Sequence, residues 1–150
     1  MPMIVTKLRD ARESLDIKQK DLTELYQVKK STISGWENRH DTIPLIKLIL
    51  FANKYNYSLD YLFGLIPHNI EYEKIEISLP KIGKNLKIIR KINYKTQEEI
   101  AHFLGISQST YSHYEKGIRL IPTNYIYSLS QIYKNYSIDK ILNRKRKIKK

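Results

Sequence analysis

Cysteine is absent from the 150 residues. That excludes disulfides and cysteine-based zinc sites, so any small domain here must be held by packing alone. Glycine and proline number five each, and the glycines form no loop able to cradle a phosphate. No apolar run approaches the roughly 18 residues that cross a bilayer, and the opening MPMIVTKLRD turns charged at Lys7, so neither secretion nor membrane insertion is expected. The four histidines, His40, His68, His102 and His113, lack metal-ligand spacing. No nucleophile-and-base pattern occurs, and the reading is a non-enzyme without cofactor or metal. A reducing cytoplasm is the expected compartment.

Negative charge is also scarce: 15 acidic side chains face 27 basic ones, a net +12. The balance is uneven along the chain. Residues 1–66 carry 10 basic and 8 acidic groups, 82–142 carry 9 and 4, and the tail 143–150, NRKRKIKK, carries 6 and none. Such a run is expected to be disordered and solvated, or to act as an arm on phosphates. A polyanion is the partner this charge favours.

What the chain has in abundance is repetition. Shifting KSTISGWENR, Lys30 to Arg39, by 78 positions lays it on Gln108 to Gly117. At that offset Gln19 meets Gln97, Val28 meets Ile106, Ser31 meets Ser109, Trp36 meets Tyr114 and Glu37 meets Glu115. A register kept over a whole domain marks two copies of one unit. Each copy opens with an amphipathic helix, marked by Val5, Leu8, Ala11 and Arg12 in one and Ile82, Leu86, Ile89 and Arg90 in the other. In the second copy Thr96 and Glu99 make a capping box for the next helix, and Gly105 permits the left-handed residue that ends it. Ser107 caps a third helix that Gly117 stops. A fourth helix and a short fifth, SLDYLF in one copy and SIDKIL in the other, follow. The fold expected is all-α: two tandem five-helix domains, 1–66 and 82–142, with a linker 67–81. The alternation of Ile75, Ile77 and Leu79 suggests one strand in that linker. The sixteen residues Ile66 to Lys81, fully extended, reach at most ~50 Å, enough for the ~34 Å between successive major-groove faces.

The stretch QEEIAHFLGISQSTYSHYEKG, Gln97 to Gly117, resembles the motif of the XRE/Cro (lambda-repressor-like) helix-turn-helix family. QKDLTELYQVKKSTISGWENR in the first copy is similar but departs in four places. Lys18 stands for Thr96, Gln27 for Gly105, Lys29 for Ser107 and Arg39 for Gly117. A lost cap costs ~1 kcal/mol and a non-glycine left-handed residue roughly as much, so the first copy is expected to be the less stable.

Gln108, Ser109, Ser112 and His113 share one side of the third helix, and Lys30, Ser31, Ser34 and Gly35 are their counterparts. A helix in the major groove needs short donors and acceptors on such an edge. The resemblance implies base reading by Gln108, Ser109 and His113, with Ser112 at the groove edge, and by Lys30, Ser31 and Ser34 in the first copy. It places phosphate anchors at Gln19 and Gln97; Asn38, Arg39, Lys116 and Arg119 follow the reading helices and suit phosphates as well. The pairs Arg12 with Glu37 and Arg90 with Glu115 are expected to be structural, and Trp36 and Tyr114 to be core. The function these features imply is a sequence-specific regulator of transcription on double-stranded DNA, a bacterial or phage repressor associated with the nucleoid, acting as one chain or a homodimer. The rival is an antitoxin-like or scaffold module in which one copy, the degenerate first, binds a protein.

Overall fold

The computed structural model describes Val5 and residues 7–38 and 40–148. The chain separates into two compact units, one reaching Lys74 and including the described residues from Arg146, the other Ile75–Lys145. Among the described residues there are ten α-helices and no strand.

The first unit holds α1 (Leu8–Ser14), α2 (Gln19–Tyr26), α3 (Lys30–Glu37), α4 (Leu45–Tyr55) and α5 (Leu59–Leu62). Leu8, Leu22, Tyr26, Ile33, Leu48 and Phe51 fill its core, each supplied by the apolar stripe of its helix. Trp36 is buried and meets Tyr26 edge to face, centroids 5.2 Å apart. The second unit holds α6 (Leu79–Ile92), α7 (Gln97–Leu104), α8 (Gln108–Glu115), α9 (Thr123–Ser128) and α10 (Ile138–Ile141). Ile82, Leu86, Ile100, Tyr111 and Ile126 form its core, with Tyr114 at its edge. The fourth helix is cut short in this copy: a 3₁₀ turn, Leu129–Gln131, replaces its second half. There the Ser128 and Ser130 hydroxyls donate to the carbonyls of Asn124 and Tyr127, which competes with the helical ladder.

The repeat is written in the backbone as well as the side chains. Left-handed residues recur in register at Asp16 and Tyr94, Gln27 and Gly105, Asn56 and Asn135, and Gly64 and Asn143. In the second unit the turns are built by the expected devices. The Thr96 hydroxyl accepts from Glu99 N at 3.1 Å while Thr96 N donates to the Glu99 carboxylate at 3.1 Å, and the Ser107 hydroxyl accepts from Thr110 N at 3.2 Å. In the first unit Lys18 retains only the backbone half of that box, N to Asp21 Oδ2 at 3.0 Å, and Lys29 supplies no side-chain cap.

Two expectations need correction. The linker, all of it described, contains no strand: Ser78 accepts from Lys81 N and Pro80 occupies the first helical turn, which starts α6 at Leu79. An isolated antiparallel bridge joins Tyr72 to Arg146 instead. Nor is the basic tail wholly solvated. The Arg144 guanidinium is fully buried and donates to Asp139 at 2.7 Å, and Lys147 N donates to Glu71 O at 3.0 Å. A buried carboxylate at Asp139 needs a cation, and Arg144 supplies it.

Candidate nucleic-acid interface

The third helix of each unit is fixed from behind by one carboxylate. In the first unit Arg12 Nε donates to Glu37 Oε2 at 2.6 Å and Nη2 to Oε1 at 2.9 Å, while Nη1 donates to Ile17 O. In the second, Arg90 Nε and Nη2 donate to Glu115 at 2.7 and 3.0 Å, and Nη1 to Lys95 O at 2.8 Å. The bidentate fork sets both distance and angle between first and third helices. Hydrogen bonding to Glu37 raises the Arg12 pKa, as bonding to Glu115 raises that of Arg90. Burial alone would lift the Glu115 carboxyl, but the hydrogen bonds from Arg90 and Gln97 outweigh it and hold it below its ordinary value.

Gln19 and Gln97 complete the same clusters: each donates Nε2 to the carboxylate, Oε1 of Glu37 or Glu115, at 3.0 Å. Their first role is therefore to orient the third helix. An amide NH₂ carries two hydrogens, and the bond to the carboxylate uses one of them. Gln97 also accepts from Gln108 Nε2 at 3.4 Å, which links that anchor position to the first residue of the reading edge.

On the opposite side of α8, Gln108 and Ser109 are exposed and Ser112 and His113 half-buried, while Lys116 and Arg119 stand exposed beyond its end. Tyr111 and Tyr114 point inward, as the spacing predicts. On α3, Lys30 and Ser31 are exposed and Ser34 half-buried. The first edge carries a network that the sequence did not announce: Arg9 Nη2 donates to Asn38 Oδ1 at 2.9 Å, and Asn38 Nδ2 to Ser34 Oγ at 3.0 Å. Asn38 is thus committed to the helix end as well as being exposed. The signal for it lay in the register, where Lys87 and Lys116, two cations with nothing to exchange, stand opposite Arg9 and Asn38. Arg39 lies outside the described residues.

Gly83 was also passed over. A Cβ there would lie 2.3 Å from Glu115 O and 2.7 Å from Tyr114 O. Only glycine lets α6 approach the last turn of α8 so closely. Among the described residues no helix is long and apolar enough to cross a membrane.

Two copies of a helix, a tight left-handed turn and a second helix with a polar outward edge define the helix-turn-helix class. The chain belongs to the XRE/lambda-repressor-like branch of it: residues 8–62 and again 86–141 match the Helix-turn-helix family. Among curated proteins it is similar to the uncharacterized HTH-type transcriptional regulator YobD of Bacillus subtilis (strain 168), at 33% identity over 63 residues. That match covers 42% of this chain and 56% of the relative, so the chain aligns with little more than half of that protein's length. No solved structure matches it.

Proposed function

We propose that the protein is a sequence-specific DNA-binding regulator of transcription, a repressor, that reads the major groove with residues 108–116 and 30–38. The observation that carries this is the α8 edge: Gln108, Ser109, Ser112 and His113 stand outward on a helix whose inner face is clamped by Arg90 and Glu115. An amide, two hydroxyls and an imidazole are groups that pair with base edges. In this reading Lys116, Arg119 and the second amide hydrogens of Gln19 and Gln97 take phosphates. Membership of a helix-turn-helix family and the printed name of the Bacillus relative support the same reading.

Because the edges differ, Lys30-Ser31-Ser34 against Gln108-Ser109-Ser112-His113, one chain using both copies selects an asymmetric site. A homodimer using only the second copy selects a palindrome. Selection of bound sequences from a random pool is the test; an enriched asymmetric motif is expected, and a pool without enrichment refutes specific recognition. Counterion release makes affinity fall steeply between 50 and 200 mM salt; flat binding over that interval contradicts the reading. In the rival role, with the first copy holding a protein, Lys30→Ala with Ser31→Ala leaves the selected motif unchanged.

A further inference from the structure

The two loops that leave the third helices share a pair of backbone hydrogen bonds and carry opposite charges at one register position, Asp41 against Arg119. In the second unit Ile118 N and Arg119 N donate to His113 O at 2.9 and 3.4 Å. In the first, His40 N and Asp41 N donate to Gly35 O at 2.9 and 3.3 Å. Gly35 thus occupies the position of His113, and Asp41 that of Arg119. With no side chain at Gly35, the notch is open, and the Asp41 carboxylate leans over it: Oδ2 lies 3.0 Å from where a Cβ of residue 35 would stand. At the register position where α8 carries the imidazole of His113, α3 carries no side chain and has a carboxylate beside it.

We propose that Asp41, seated over Gly35, is a base-reading group of the first copy and takes an exocyclic amine, that of cytosine. The proposal rests on the function proposed above. An ionised carboxylate only accepts hydrogen bonds. Two bases offer an exocyclic amine in the major groove: cytosine presents N4 with no acceptor of its own beside it, adenine presents N6 next to the N7 acceptor that repels a carboxylate, and guanine presents only the O6 and N7 acceptors. The same group therefore selects for one base and against its partner. The neighbouring donors agree with this placement. Lys30 and Ser31 at the start of α3 reach for acceptors, and Ser34, which accepts from Asn38 at 3.0 Å, keeps its own proton to give. The first half-site then reads acceptors under the helix start and a donor under Asp41.

The test is selection from a random pool by the full chain, by Asp41→Asn and by Gly35→Ala, with each variant's melting curve recorded. Asp41 is exposed and its amide is isosteric; alanine at Gly35 keeps the charge but pushes the carboxylate off the notch. The wild-type motif is expected to hold a cytosine within the half-site not assigned to Gln108. Its enrichment over the other bases falls about tenfold in Asp41→Asn and also falls in Gly35→Ala, while the Gln108 half-site stays unchanged in both. A uniform rise in affinity for all sequences in Asp41→Asn, with the motif intact, overturns the proposal and makes Asp41 only a brake on phosphate approach. A motif with no first half-site overturns it too, yet leaves DNA recognition by α8 standing. Loss of every enrichment in the wild type refutes the function itself.

Discussion

The two copies share one clamp and differ in how closely it is closed. Arg12, Gln19 and Glu37 superpose in chemistry on Arg90, Gln97 and Glu115, down to the carbonyl each arginine reaches five residues ahead. Around that constant, the second copy adds a hydroxyl cap at Thr96 and at Ser107, glycine at two left-handed positions, and Gly83 against the α8 carbonyls. The first copy has Lys18, Lys29 and Gln27 at the corresponding turns and Val5 where Gly83 stands. Glycine at 117 fits a left-handed turn so tight that its Cβ would lie 2.9 Å from the Pro80 backbone. One unit thus has local devices that fix its third helix, while the other relies on the ion pair and its apolar core. The lesson is that a bidentate pair can hold the first and third helices together where side-chain caps are missing.

Removing the shared element gives the largest expected effect. Arg90→Ala strands Glu115 in the interior and costs about 3–5 kcal/mol, read as a lower melting temperature for the second unit; an unchanged melt refutes the structural role of the pair. Arg12→Ala acts alike in the first unit, where fewer local devices remain to resist it. Next comes transplanting one copy's packing onto the other. Gly83→Val drives a side chain into the Glu115 and Tyr114 carbonyls and is expected to cost about 3 kcal/mol, the upper part of the range for overpacking. Since α6 must then leave α8, thermal denaturation and DNA affinity fall together; a variant as stable as wild type would show that the helices approach less closely than described.

Smaller shifts come from exchanging caps. Ser107→Lys is expected to lose, and Lys29→Ser to gain, about 1 kcal/mol, which brings the melting of the two units closer together by the first change in one and the second in the other. If neither moves its transition, capping is not what separates them. A graded form of the clamp test uses acid. The folded Glu115 pKa lies below the ordinary 4.5, so its stabilisation is fully present above that pH and is lost as pH falls through the folded value. Urea titration of the second unit at stepwise lower pH should show this loss, and in Glu115→Gln the slope of stability against pH should flatten.

Much of this was legible in the residues because repeats and periodicity are one-dimensional. The 78-residue register located all five helices of each unit, the Thr96 box, and the Arg90–Glu115 pair, which appears as two opposite charges at a fixed separation in both copies. What escaped depends on close approach in space. The Ile75-Ile77-Leu79 alternation reads as a strand, yet a strand needs a partner, and Ser78 with Pro80 instead begins a helix. The basic run from Arg144 reads as a free arm because charge pattern does not reveal that Asp139 is buried and wants a cation. Gln19 and Gln97 read as phosphate anchors, but their amides turn first to an interior carboxylate. Gly83 looks like an ordinary helical glycine until the α8 carbonyls are placed against it, and Asp41 has no meaning until the gap at Gly35 is seen.

The central claim is that the outward edge of α8 reads bases while its inward edge only holds the helix. Equilibrium binding of wild type and Gln108→Ala to the selected site and to random duplex, with melting curves alongside, tests it most directly. The account predicts an unchanged melt, about tenfold weaker binding to the selected site and little change on random DNA. Equal losses on both duplexes, or none on either, would contradict it.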